Sequence, residues 1–220
     1  MPIIREVILS TIDQLGNAQL APIGLIKDGS GWIVAPFRPS KTGDNLAQTP
    51  FAVANYTDDA AIFAGLITGR HEWPLVAAKT IPVPRLACAL AHAELRVTRF
   101  ENDAARPRFC CEILHREQHA PFEGFNRARN AVLECAILLT RLHLLPREKI
   151  DREIEYLAIA VEKTAGARER EAWSWLMQKR EAYYAANSAA ASNATAQAGA
   201  QSQAVLRASG EVSISAPKST

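Results

Sequence analysis

At Phe125 the hydrophobic period of this chain changes, which confines strands and helices to separate parts of the sequence. Before that point, apolar residues alternate or come in short runs divided by turn residues. After it, Val132, Leu133, Ala136, Ile137, Thr140 and Leu144 recur at helical spacing with no Gly or Pro between them. The expected class is therefore α+β, with a β-rich part over residues 1–120 and an α-helical part over 121–185.

Within the first part, the β-branched run from Arg5 to Ile12, the Gly16-Asn17 turn and the apolar run 19–26 form an opening hairpin. Asp28-Gly29-Ser30-Gly31 is a strong turn signal; Trp32 to Ala35 follows as a third strand, which Pro36 ends. A short helical piece over 46–49 leads into a strand over 51–56, and Thr57 or Asp58 can cap a helix reaching about Leu66. Residues 87–100 and 107–115 read as a second hairpin, and six strands suffice to close a small barrel. In the second part, helices are expected over 126–145, 147–163 and 168–185, the first stopping before Pro146. Beyond Ala186 the chain is rich in Ala, Ser, Gln and Asn and lacks aromatics, so residues 186–220 are expected to be a disordered tail, with alanine favouring some helix.

A formal charge of +2, with both signs interspersed, implies no nucleic-acid partner. No apolar run approaches the ~20 residues of a membrane helix, and the start has no charged segment followed by an apolar stretch, so a cytoplasmic location is expected. Cys88, Cys110, Cys111 and Cys135 include no C-x-x-C pair. They read as buried small hydrophobes rather than zinc ligands, with Cys110 and Cys111 facing opposite sides of a strand.

The segment Pro36-Phe37-Arg38-Pro39-Ser40-Lys41-Thr42-Gly43-Asp44-Asn45-Leu46 carries the densest chemistry. Arg38 and Lys41 offer charge-assisted bonds, Ser40 and Thr42 hydroxyl donors, and Asn45 a further donor or a cap, all beside a helix start whose first N–H groups are unpaired. That set can grip a phosphate, or it can be a solvated loop with an ordinary cap. Neither a G-x-x-x-x-G-K nor a G-x-G-x-x-G pattern is present. Arg127, Glu134, Arg141 and His143 lie on or beside the first long helix, where they can meet a substrate or be paired structurally. The run Arg168-Glu169-Arg170-Glu171 reads as a solvated helix start. Trp73, Trp173 and Trp175 read as packing residues, and Trp32 stands one strand upstream of the phosphate-type loop, within possible reach of a cofactor.

The order of Asn17 to Gly24, Pro36 to Leu46 and Phe51 to Asp59, with Phe125-Asn126-Arg127-Ala128 and the stretch from Val161 to Glu171, resembles the FMN-binding split barrel. More narrowly it resembles the domain of unknown function 447 family of archaea and methylotrophic bacteria, over roughly residues 5–185. That resemblance implies FMN, its phosphate and ribityl chain held by Ser40, Lys41, Thr42 and Asn45 within the Arg38–Asn45 segment, with Asn55 a neighbour. It implies a homodimer with each flavin between subunits, and a link to tetrahydromethanopterin-dependent one-carbon metabolism or pterin biosynthesis, the small-molecule substrate being a pterin. Gln19-Leu20-Ala21 departs from the two alanines usual before the proline. Three functions remain open on this reading: an FMN-dependent oxidoreductase, a flavin- or pterin-binding accessory protein without turnover, and a dimeric interaction scaffold. No residue is singled out as the catalyst, and no metal is expected.

Overall fold

The computed structural model describes residues 2–209, with side chains over 2–189. The alternating runs become β1 (Ile4–Ile12), β2 (Ala18–Asp28), β3 (Gly31–Val34), β4 (Phe51–Tyr56), β7 (Ala91–Glu101) and β8 (Arg108–Gln118). They close into an antiparallel six-stranded barrel in the order β1-β2-β3-β8-β7-β4. Strand alternation sorts its residues into an inner and an outer set. Val7, Leu9, Leu25, Trp32, Val34, Ala52, Ala54, Ala93, Leu95, Phe109 and Cys111 form the interior, and Leu46 of α1 (Lys41–Gln48) joins them. Gly31 is required where β3 meets β8, because a Cβ there would stand 2.2 Å from the Cys111 carbonyl oxygen. As expected, Cys110 faces away from Cys111, packing with Ile33 and Ala35 on the other surface. Cys88, expected to be buried, is exposed.

The outer face is covered as well. Ile8 and Leu20 pack under Ile62, Phe63 and Leu66 of α2 (Ala60–Ile67) and Leu133 of α3 (Arg127–Leu139). Ile12 and Val53 pack under Ile81 and Val83. Those two belong to a strap between β5 (Leu75–Val76) and β6 (Arg85–Leu86), a small hairpin that the sequence pattern does not reveal.

Helix ends follow local chemistry. Asp59, rather than Thr57 or Asp58, caps α2 by accepting from Ala61 N at 3.0 Å, because Thr57 Oγ1 already accepts from Asp59 N and Asp58 pairs with Arg129. Asn126 caps α3 through Arg129 N. This helix stops at Leu139, short of the expected 145. The Thr140 hydroxyl donates back to Ile137 O, i→i+3 bonds tighten residues 140–145, and Pro146 disfavours a helical residue before it. α4 (Arg147–Thr164) follows, then α5 (Ala167–Ser209).

The start of α5 is an anchor and not the solvated turn expected there. Arg168 pairs with Asp59, while Glu169 accepts from Gly166 N and from Arg129, whose guanidinium also reaches Asp58. Trp173 packs beside Ala128, Ala131, Val161 and Ala165, as a core tryptophan should. The chain forms two compact units, residues 1–177 and 178–220. In the second, α5 runs through the alanine-rich stretch 186–209, a composition that favours helix. The rest of the expected tail, 210–220, lies outside the described residues.

Candidate functional site

Pro36 ends β3 and sends the chain across the barrel end toward α1. Ser40, extended at φ −150° and ψ 120°, caps this helix by accepting from Gly43 N at 3.3 Å. The N–H groups of Lys41 and Thr42 have no partner inside a helix that starts there. Alongside lies a cavity of about 490 Å³ lined by Arg38, Ser40, Gly43, Asp44 and Ala47 on one side. Its other wall is apolar: Pro36, Pro107, Phe100 and Phe109, whose two rings lie 4.9 Å apart.

The loop after β7 fixes the cationic rim. Arg38 donates from Nη2 to Asn102 Oδ1 at 3.1 Å, and its backbone N–H donates to Ala105 O. Arg106 donates to Ala35 O at 2.8 Å while its guanidinium sits 4.7 Å from the Phe37 ring centre. The chain thus gathers a second guanidinium from 68 residues downstream of Arg38, a proximity that no local pattern announces.

The residues expected to hold a ligand do not all share one surface. Arg38 and Ser40 line the cavity, and Lys41 stands exposed at the first helical position. Thr42 is buried on the inner side of α1. Asn45, 3% exposed, donates to Thr11 Oγ1 at 3.0 Å and Gln19 Oε1 at 3.2 Å, which fastens α1 to the barrel end. Asn55 lies elsewhere, on the outer face of β4. Its Nδ2 is directed at Ile8 O, Ser10 Oγ and Val53 O, and its Oδ1 accepts from Leu86 N. Trp32 is inside the barrel and lines its opposite mouth.

A second polar constellation escapes the sequence reading. His92 and Glu94, 1% and 0% exposed, occupy the outer face of β7. Burial alone would push Glu94 up. The Thr80 hydroxyl, Lys79 N, the His92 ring and Thr80 N outweigh it and lower the carboxyl to about 2. Held ionised, Glu94 accepts from His92 Nε2–H at 3.1 Å. In the neutral ring, Nδ1 is then the acceptor for His119 Nε2–H at 2.8 Å, and the two rings stack 5.0 Å apart. Burial, then the neighbouring Arg85 and His92 side chains, lower the His119 pKa against the pull of Glu117. The chain His119–His92–Glu94 can therefore order a proton between the half-buried ring and the core. Neither Arg127, Glu134, Arg141 nor His143 takes part; Glu134 and Arg141 line a cleft with Tyr156 and Leu157 of α4. Among the described residues no group of three or more His, Cys, Asp or Glu is placed to hold a metal.

Two family models match the chain. One described as "Protein of unknown function (DUF447) N-terminal domain" matches residues 5–120, and that of the second DUF447 domain matches 126–178. Among solved structures, an FMN-bound DUF447 protein of Methanosarcina mazei superposes with a TM-score of 0.71 at 22% identity, covering 81% of this chain and 96% of that one. The fold is thus that of the split barrel with its helical partner. Weaker likenesses include the 2-nitrobenzoate 2-nitroreductase of Pseudomonas fluorescens, with TM-score 0.46, 17% identity and 54% and 66% coverage. The styrene monooxygenase flavin reductase of Pseudomonas putida gives 0.45, 13%, and 52% and 81%. No curated protein sequence matches.

Proposed function

The chain belongs to the DUF447 family, and from that premise we propose that it is an FMN-binding redox protein whose flavin phosphate docks at the start of α1. The observation that carries this reading is the cavity beside Ser40, which joins a rim of donors and cations to an apolar aromatic wall. Its ~490 Å³ falls in the range of about 300–1,000 Å³ usual for small-molecule sites. The residues fit the group: Arg38 and the first-turn N–H groups face an anion, with Lys41 exposed at the helix start beside them, while Phe100, Phe109 and the prolines suit a ring. Asp44, in the same lining, opposes a dianion and keeps the phosphate toward Ser40 and Arg38. The fold relative from Methanosarcina mazei is FMN-bound, which supports the assignment.

When bound, the flavin supplies one-electron or hydride chemistry. The chain's own contribution is to bind and orient: Asn102 holds the Arg38 guanidinium, Asn45 keeps α1 seated, and the apolar wall excludes water. Phe37 and Phe100 are 67% and 49% exposed beside the cavity, and we assign that apolar surface to a second copy of the chain, with the flavin between subunits. The finer reading is an FMN-dependent oxidoreductase of tetrahydromethanopterin-linked one-carbon metabolism or pterin biosynthesis, with a pterin as substrate. This extension rests on the family resemblance alone.

The test compares FMN with riboflavin, which lacks the phosphate, by flavin fluorescence titration of wild type, Arg38→Ala and Lys41→Ala. Each substitution is expected to cost FMN about 1.5–3 kcal/mol, roughly 10- to 150-fold, and to leave riboflavin unchanged. A protein that is colourless as purified and refuses added FMN refutes the reading.

A further inference from the structure

Three base–acid pairs adjacent in sequence, Arg5-Glu6, Lys27-Asp28 and Arg116-Glu117, stand at the barrel end opposite α1. On paper each pair is neutral, but in a strand neighbouring side chains point to opposite faces. Arg5 pairs with Leu25, Lys27 with Trp32 and Arg116 with Ala93, and all three partners are interior residues. The bases therefore turn inward and the acids outward. Glu6 lies over Gly24 on the outer surface, near Glu134 and Arg141, and Glu117 sits by His115. Asp28 follows the same alternation.

The two barrel ends are consequently unlike. Leu46 and the bond from Asn45 to Thr11 close one. The other is an open cup of about 490 Å³ lined by Ile3, Arg5, Lys27, Trp32, Tyr56 and Arg116. Among the described residues no carboxylate pairs with any of the three cations. Lys27 Nζ rests 4.9 Å from the Trp32 ring centre. Burial raises the Tyr56 phenol, against the influence of Arg116, the Trp32 indole and Arg5, which places these groups around its hydroxyl. Trp32 is 4% exposed, and its Nε1–H lies beside the Tyr56 hydroxyl without completing a hydrogen bond of normal geometry. A buried donor whose hydrogen bond is incomplete costs up to about 1–3 kcal/mol, and three converging cations with no counter-charge add repulsion. Both are relieved by one kind of guest.

We propose that the open mouth of the barrel is a binding site for a small polyanion bearing phosphate or carboxylate groups. Arg5, Lys27 and Arg116 neutralise it, and Trp32 and Tyr56 supply neutral donors at the floor. The six residue steps from Arg5 to Thr11 along β1 separate this cup by roughly 20 Å from the barrel end that α1 closes, so it is distinct from the cavity at Ser40. It does not depend on the chain binding flavin.

Isothermal titration of the full chain with pyrophosphate and with citrate, in FMN-saturated and in flavin-free protein, tests the site. One equivalent of at least one probe should bind in both forms, and the two probes distinguish a phosphate site from a carboxylate one. Arg5→Gln and Arg116→Gln, at exposed positions where folding is checked by circular dichroism, should each weaken binding tenfold or more and lessen its salt dependence. Binding of neither probe, or binding that both substitutions leave unchanged, overturns the proposal.

Discussion

Replacing Glu94 with Gln removes a charge while keeping shape, and the structure says what that charge is worth. The carboxylate is 0% exposed and gathers two N–H donors, a hydroxyl and an imidazole. Its pKa falls from 4.5 to about 2. At about 1.4 kcal/mol per pKa unit, the difference corresponds to roughly 3 kcal/mol of folding stability. Because the folded value is the lower one, this stability is present above pH 4.5 and is lost as the pH drops through about 2. Glu94→Gln should therefore be less stable than wild type by about 3 kcal/mol at neutral pH, and the gap should close between about pH 5 and pH 2. Urea unfolding followed by tryptophan fluorescence over that interval measures it, and comparing two proteins cancels the other carboxylates that titrate there. A gap independent of pH would show that ionisation of Glu94 is not what the strap grips.

Three further substitutions probe the frame around the site. A Cβ on Gly65 would stand 2.5 Å from Trp73 Cζ2, so Gly65→Ala should cost about 1–3 kcal/mol in chemical denaturation, with recovery when Trp73 is shortened to Leu. Asp59→Ala removes the α2 cap and the partner of Arg168 together; a loss of about 1–2 kcal/mol is expected, and added salt should reproduce only the ion-pair part. Folding favours the neutral form of His119, so stability should decline as the pH drops below its ordinary 6.5, and His119→Asn should flatten that limb of a thermal-melting profile against pH.

The six barrel strands are legible in the sequence because alternation marks a pleated surface, and α4 because its apolar residues keep period and Pro146 marks its start. The β5–β6 hairpin is not, since two-residue strands carry no period. Alternation also shows which residues share a face without showing what covers it. His92 and Glu94 look like solvent-facing positions until the strap, through Lys79 and Thr80, adds a second layer over this part of the barrel wall. At the candidate site, Arg38 and Ser40 can be read as a loop cation and a helix cap, but Arg106, Phe100 and Phe109 arrive through barrel closure, and only the fold brings them in. Asn45 reads as a ligand donor by residue type and Asn55 as a ligand neighbour only through the family resemblance, and both spend their amides on tying elements together.

The strap over residues 77–84 has almost no regular structure, yet it is stapled at both ends: Leu86 N to Asn55, and Lys79 and Thr80 to Glu94. Since Asn55 belongs to β4 and Glu94 to β7, adjacent staves of the wall, the segment cannot peel from either side without parting from a stave. An irregular stretch thereby acquires the slow opening of the strands beneath it. The Lys79 and Thr80 amide protons should wait for the whole barrel to come apart, and a protease that cuts ordinary loops should find no foothold there.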